Sequence, residues 1–346
     1  MSDVGGVAAG LQRRWYATSP PWFLRPPGAL YAVLMRWRRR AYARGLLASE
    51  AVAVPVIVVG NLSVGGTGKT PLTAALASLL RDAGRRPGIA SRGHGGTERG
   101  PWRVTAADTA ARVGDEPVLL AALTGVPVCV ARRRAAAARR LVEEGCDVVL
   151  CDDGLQHLAL RRDREIVVID ALRGLGNGAC LPAGPLREPL DRLATVDLVV
   201  FNGTPSPELQ QQLQGLAPLA PQCVMRLVGD SARPLCGGMA KPLSVWHGQR
   251  VHAVAGIGHP QRFFDMLRAA GLQPVEHPFP DHHAYTAADI AFADAMPVLM
   301  TSKDAVKCRL FAGPQHHEVP VTAVFDAAGA ARLRDWLAAT CGTPAP

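Results

Sequence analysis

Between Gly60 and Pro71 the chain reads G-N-L-S-V-G-G-T-G-K-T-P, after the apolar run Val54 to Gly60 and before a helical pattern from Leu72 to Asp82. Strand, glycine loop and helix in that order form a phosphate cradle. Gly65, Gly66, Thr67 and Gly68 let backbone N–H groups wrap an anion, Lys69 reaches β- and γ-phosphate oxygens, and Thr70 offers a hydroxyl to Mg2+. The strict pattern would have glycine at position 63; Ser63 stands there, and Gly65 and Gly66 supply the flexibility. A second element, D-V-V-L-C-D-D-G-L-Q-H over 147–157, is an apolar strand ending in two carboxylates. A nucleotide cradle needs an acid at the end of a neighbouring strand to hold Mg2+ directly or through water, and Asp152 and Asp153 meet that need. The alternative is an ordinary Asp-Gly turn.

Hydrolysis and phosphoryl transfer share these parts, so the acceptor side must discriminate between them. A kinase needs a carboxylate that accepts or orients the acceptor hydroxyl proton. Asp115, in R-V-G-D-E-P over 112–117, is a candidate for that role or for a helix N-cap. His282, in F-P-D-H-H-A-Y over 279–285, could orient such an acid or be a surface turn residue.

These residues must be positioned by alternating strands and helices. Short β-branched runs at 54–60, 88–91, 126–130, 147–152, 165–170 and 197–201 are separated by helix-like segments. That alternation predicts an α/β fold with a doubly wound, mostly parallel sheet, its ligand site at the carboxyl ends of the strands. A second series starts at 251–258, with a helix from Pro260 to Ala270, strands at 298–301 and 319–325, and a last helix near Ala327 to Ala339. It predicts a second, smaller α/β domain; should Asp115 and His282 pair across the boundary, closure of this domain over the site would assemble it and exclude water. The expected divisions are 1–50, 51–225 and 226–346, with the boundary where the Pro/Gln-rich stretch 205–222 ends.

With 346 residues, 48% of them hydrophobic, the chain can bury its own cores, which excludes disorder. Eight arginines against Asp3 and Glu50 place +6 of the net charge of +9 within residues 1–50. Leu30, Val33, Leu34, Trp37 and Ala41 share one face of a helix there, with Trp15, Tyr16, Trp22 and Phe23 upstream. A basic amphipathic helix with aromatics can lie in the headgroup layer of an anionic membrane, or pack on its own domain. No apolar run reaches the length needed to cross a bilayer, and the start of the chain lacks the order of a signal peptide, so the expected place is the cytoplasm. The eight cysteines are scattered singly, which fits buried, reduced thiols. Nucleic acid is not an expected partner: aromatics form only 5% of the chain, and the run Arg132 to Arg140 reads as a solvated helix face. A guanine-specific switch is disfavoured too, because Ser302-Lys303-Asp304 places Lys and Asp adjacent and not in the N-K-x-D spacing.

The cradle, S-R-G-H-G-G (91–96), V-G-D-E-P (113–117), D-D-G-L-Q-H (152–157), L-P-A-G-P-L-R-E-P (181–189), G-I-G-H-P-Q-R-F-F (256–264), F-P-D-H-H (279–283) and T-S-K-D-A-V-K-C (301–308) occur in one order. From about Trp22 to the last helix the chain thereby resembles the tetraacyldisaccharide 4'-kinases of lipid A synthesis. The resemblance implies ATP and Mg2+, a glycolipid acceptor phosphorylated on its 4' hydroxyl, and peripheral attachment to the cytoplasmic face of the bacterial inner membrane. By the same resemblance Asp115 is the catalytic base with His282 its partner, Asp152 and Asp153 are Mg2+ carboxylates, and Gln156, Arg187 and Glu188 are active-site supports. His94, His259 and Ser302 depart from the family's usual Tyr, Asn and Glu at the matching positions.

Overall fold

A computed structural model describes residues 14–16 and 19–342. Asp3 and Arg13 of the basic segment lie outside the described residues. The six strands expected first are all present: β1 (Val56–Gly60), β2 (Pro87–Ser91), β4 (Val128–Val130), β5 (Val148–Cys151), β6 (Arg164–Asp170) and β7 (Leu198–Asn202). They pair in parallel, and their Val/Ile-rich runs are buried almost throughout, as strands covered on both faces by helices require.

Three more strands join them: β3 (Trp102–Arg103), β8 (Gln222–Val228) and β15 (Thr322–Phe325). Among the described residues the order is β15-β8-β7-β6-β1-β5-β2-β4-β3. From β1 the chain builds one flank through β2, β4 and β5, then crosses to β6 and builds the other. The reversal of direction leaves a crevice at the carboxyl end of β1, between β5 and β6.

The smaller sheet has the order β10-β9-β14-β13-β11-β12, from β9 (Ser231–Pro234), β10 (Lys241–Pro242), β11 (Arg250–Ala255), β12 (Gln273–Pro278), β13 (Val298–Thr301) and β14 (His316–Val319). The helices of seven residues or more, in chain order among the described residues, are α1 (Arg25–Ala43), α2 (Lys69–Asp82), α3 (Asp115–Thr124), α4 (Arg134–Glu143), α5 (Pro207–Leu216), α6 (Pro260–Ala269), α7 (Ser302–Cys308) and α8 (Ala327–Cys341). Phe263, Phe264 and Leu267 of α6 pack on Val251, Ala253 and Leu299 to form the core under the smaller sheet.

One segment lies elsewhere than its place in the sequence implies. β15, expected with the smaller domain, pairs antiparallel with β8 in the larger sheet, Thr322 opposite Val228 and Phe325 opposite Met225. Leu333 and Leu337 of α8 share a core with Leu72, Leu76 and Leu80 of α2. The chain therefore returns to the larger sheet at its end. Long-range strand pairing is decided by which edge is free, and no local pattern encodes that.

The two sheets are joined beside the cradle. Arg262 of α6 donates to Asp170 Oδ1 at 2.8 Å and to the Asn202 carbonyl at 3.1 Å, and Arg173 donates to the Gly258 carbonyl at 2.9 Å. Gly258 lies so close to the cradle that a Cβ there would stand 2.5 Å from the Gly66 nitrogen.

α1 buries Gly28 and Ala41 and rests on the larger lobe through Tyr31, whose hydroxyl donates to the Arg187 carbonyl at 3.1 Å. Arg36 and Arg39 pair with Asp191, and Arg38 donates to the Gln156 carbonyl at 2.9 Å. The apolar face points the other way: Leu30, Val33, Leu34 and Trp37 are all at least half exposed. Trp15 departs from its upstream neighbours, being buried with its indole N–H donating to the Pro182 carbonyl. Six of the eight cysteines are buried, and all eight are free thiols.

Candidate active site

β1 delivers the chain into the loop at Gly60, and α2 leaves it at Lys69. The turn between them depends on a left-handed Gly68 (φ 95°), where a Cβ would meet Asn202 Nδ2 at 2.7 Å. Asn202, at the end of β7, donates to the Thr67 carbonyl at 3.0 Å and ties the cradle to the sheet. Lys69 is buried, its ammonium 3.3 Å from Asn61 Oδ1 and 3.6 Å from Asp153 Oδ1.

Asp152 and Asp153 follow β5 and face different partners. Asp152 is buried and accepts from the Thr70 hydroxyl at 3.3 Å and the Thr73 hydroxyl at 3.1 Å. Burial first, then the nearby Glu116 carboxylate, pushes its carboxyl up to about 7 despite Lys69. Asp153 is also desolvated, yet Lys69 and Arg187 outweigh burial and hold it down to about 2. Arg187 Nη1 spans both Asp153 oxygens at 3.0 and 3.1 Å. Gln156 links Glu188 (3.0 Å) to the Asn61 carbonyl (3.2 Å), and Glu188 pairs with Arg192.

On the other side of the crevice, Asp115 opens α3, where the N-cap is Gly114 and Asp115 Oδ1 accepts from the Glu116 N–H at 3.0 Å. Its Oδ2 lies 3.1 Å from Nδ1 of His282, which reaches in from the smaller lobe. Burial opposes ionisation of Asp115, but the His282 hydrogen bond and the charge of Lys303 outweigh it and lower the carboxyl below its ordinary value. Among the described residues, the two non-glycine residues with positive φ are Asp153 (47°) and His282 (61°), both in this site. Strained backbone of this kind costs about 1–3 kcal/mol and persists where surrounding contacts over-determine it.

The structure thus brings together Lys69, Thr70, Asp152, Asp153, Gln156, Arg187 and Glu188 in one cluster, and Asp115 with His282 in a second. Glu116, the chain neighbour of Asp115, lines both cavities that open here. One, of about 480 Å³, runs from Gly66–Pro71 to Ile257, Phe263 and Met266. The other, of about 890 Å³, is bounded by Tyr31, Met35 and Arg38 of α1, by Arg92, His94 and Arg132, and by Asp152 and Asp153.

Several participants were hidden in the sequence. Arg134 falls in the run read as a solvated face, and its neighbours Arg133 and Arg139 do pair with Glu50 at the surface. Arg134 itself is buried, donating to the Asp152 and Asp153 carbonyls at 3.0 and 2.7 Å, because α4 turns its first residue under β5. Thr73 and Asn202 carry no signature of their own, and Asn61 and Lys303 lie in quoted motifs that assign them no role. Among the departures from the family pattern, the His94 ring meets the His282 ring edge-on at 5.4 Å, and His259 and Ser302 line the smaller cavity.

A doubly wound sheet, a glycine cradle with its buried lysine, paired aspartates at the adjacent strand end and a carboxylate across the crevice define a P-loop phosphotransferase. The family model described as Tetraacyldisaccharide-1-P 4'-kinase matches residues 20–341. The chain is 53% identical over 326 residues to a Tetraacyldisaccharide 4'-kinase from Stenotrophomonas maltophilia, covering 93% of this chain and 95% of that protein. To one of the same name from Xanthomonas oryzae pv. oryzae it is 52% identical over 346 residues, 97% of each chain. The crystal structure of "apo" form LpxK from Aquifex aeolicus in complex with ATP superposes with a TM-score of 0.74 at 28% identity, covering 91% of this chain and 98% of that one. The chain belongs to the tetraacyldisaccharide-1-P 4'-kinase family, and its activity is that of a tetraacyldisaccharide 4'-kinase.

Proposed function

We propose that this chain transfers the γ-phosphate of ATP to the 4' hydroxyl of a tetraacylated glucosamine disaccharide 1-phosphate, with Asp115 as the acceptor-side base. The observation that carries the reading is Glu116 at the junction of two cavities, one containing the phosphate cradle, the other an arginine-rich space beneath α1. A nucleotide suits the first and an acceptor bearing its own phosphate suits the second.

In this reading the loop amides of 65–70 and Lys69 hold the β- and γ-phosphates. Asp152 and the Thr70 hydroxyl fit Mg2+: a buried carboxylate whose ionisation is disfavoured, beside a neutral oxygen, is a site that a hard cation completes, with phosphates and water supplying further oxygens. When bound, Mg2+ would neutralise charge on the transferred phosphoryl group. Asp153, the second carboxylate expected for Mg2+, is paired with Lys69 and Arg187 and serves in this reading as their counter-charge, while Gln156 and Glu188 brace the base of the cradle. Asp115 accepts the acceptor's proton and His282 orients it. In a loose transition state proton removal is late, so a carboxylate of low pKa suffices to orient the hydroxyl.

Three further features belong to the same proposal. The smaller lobe, which donates His282, closes over the site and excludes water. α1 rests its exposed apolar face in the headgroup layer, so the enzyme meets a lipid-borne alcohol at the membrane surface, as a peripheral protein of the inner membrane's cytoplasmic face. Among the described residues no helix is long and apolar enough to cross a bilayer.

Transfer of labelled γ-phosphate to purified tetraacylated disaccharide 1-phosphate tests the reading. Phosphorus should appear on the glycolipid, and Asp115→Asn should lower turnover by about 10²- to 10⁴-fold, the range for loss of a general base, with ATP still bound. ATP consumption at one rate with or without glycolipid, leaving none phosphorylated, would defeat the proposal; near-normal turnover in folded Asp115→Asn would defeat the base assignment.

A further inference from the structure

The T-S-K-D segment is not used by the mechanism above, yet its lysine reaches the acceptor side of the site. Lys303 is the second residue of α7. Its ammonium lies 3.1 Å from Asp281 Oδ1, 3.3 Å from His282 Nε2 and 3.7 Å from Glu116 Oε1. Thr301 fixes the start of α7 by donating to Asp304 Oδ2 at 2.6 Å and accepting from the Asp304 N–H, and the Gly256 N–H donates to the same carboxylate at 2.9 Å. The lysine side chain is 17% exposed; two of its three hydrogens are taken by Asp281 and His282, and Glu116 adds an ion pair.

An ammonium has donors only. In its contact with Lys303, Nε2 of His282 must accept, so in the neutral ring the hydrogen sits on Nδ1, which faces Asp115 Oδ2 at 3.1 Å. We infer that Lys303 is a positioning residue of phosphoryl transfer: by donating to Nε2 it selects the Nδ1–H tautomer of a neutral His282, which orients Asp115 and takes no proton from it. The inference rests on Asp115 being the base. The proton that leaves the acceptor oxygen as the new O–P bond forms and the bond to the ADP leaving group breaks then resides on the Asp115 carboxylate, not on the ring.

The groups facing His282 are Asp115 from α3, Asp281 from its own loop, Lys303 from α7 and the His94 ring, with Glu116 behind Lys303 and Lys307 acting on Asp115 at longer range. The Asp115 hydrogen bond raises the histidine pKa, while burial and Lys303 oppose it. A proton on Nε2 would set two donors against each other, so falling pH breaks the Lys303 contact as His282 titrates.

The test is 15N NMR of the full-length protein carrying labelled histidine, with His282 assigned from its absence in His282→Asn. Above the titration of the ring, Nε2 should resonate as a bare ring nitrogen and Nδ1 as N–H. In Lys303→Met both tautomers should appear. Its acid limb of kcat should move up by about one pH unit and kcat should fall about 10-fold, with KM for ATP within about threefold and Lys303→Arg restoring all of these. A hydrogen on Nε2 in the wild-type protein overturns the inference, and this result needs no variant to fold. So does a folded Lys303→Met with an unmoved acid limb and a KM for ATP raised more than about tenfold, which makes Lys303 a phosphate ligand. Near-normal turnover of Asp115→Asn beside an intact Nδ1–H tautomer removes the base reading alone, so the two failures are distinguishable.

Discussion

Asp152 and Asp153 are chemically identical neighbours at the end of one strand, and their surroundings divide them. Asp153 faces Lys69 and Arg187 and stays ionised; Asp152 is enclosed by hydroxyls and by the like charge of Glu116, and in the absence of a cation its ionisation is costly. Burial pushes its carboxyl up to about 7 in the folded chain, above the 3.8 of an ordinary Asp. A raised carboxyl means that the folded state holds its proton longer than the unfolded chain, so this group lowers stability as pH rises from about 4 to about 7. Asp152→Asn should therefore raise the Tm of the metal-free protein by about 2–5 °C at pH 8, with the gain shrinking toward pH 4, as scanning calorimetry can follow. The same variant should lose activity and the stabilisation that Mg2+ with ATP gives the wild type. A melting temperature lower than wild type at pH 8 would show that Asp152 is not an uncompensated charge.

At the scale of the element, α1 inverts the usual orientation of an amphipathic helix. Arg36, Arg38 and Arg39 are tied to the protein through Asp191 and the Gln156 carbonyl, while Leu30, Val33, Leu34 and Trp37 face outward. A side chain of this size gains about 1.5–3 kcal/mol on leaving water, so removing two should be felt as a large change in partition. Replacing Leu34 and Trp37 together by Gln should weaken sedimentation with anionic vesicles by about 10²-fold or more, and KM for ATP should stay as in the parent protein. Unchanged vesicle binding would mean that this face meets something other than lipid.

At the scale of the molecule, the site exists only while the two lobes stay docked, because Asp115 opens a helix of the larger lobe and His282 lies in a loop of the smaller one. Arg262 crosses the junction to Asp170, whose carboxylate is buried and has one oxygen without a partner. Removing the guanidinium strands that charge. Because Arg262 is itself about one-quarter exposed, the loss should be about 1–3 kcal/mol, below the range for fully buried pairs. Arg262→Ala should lower the melting temperature and weaken ATP binding and turnover together, read by thermal denaturation and by initial rates. A loss of turnover with nucleotide affinity and stability untouched would put Arg262 in the chemistry and not in the junction.

The parallel core was legible because apolar runs of four to seven residues between helical patterns leave few other folds, and the cradle because glycine spacing and its flanking elements are local. Asp152 and Asp153 were legible for the same reason: a strand that ends in two carboxylates is written in consecutive residues. Arg134 was not, since five arginines in one short stretch look alike until α4 turns one of them under β5. Nor was β15, whose partner β8 lies about 95 residues earlier in the chain. Local propensity and periodicity therefore determined the elements, the phosphate cradle and the candidate acids, all of which depend on neighbours in the chain. Tertiary structure alone decided that Asp115 meets His282, that Lys303 faces Nε2 of that ring, and that burial raises one of two adjacent aspartates while Lys69 and Arg187 lower the other. Distance and desolvation set those outcomes, and both are properties of residues that are far apart in sequence.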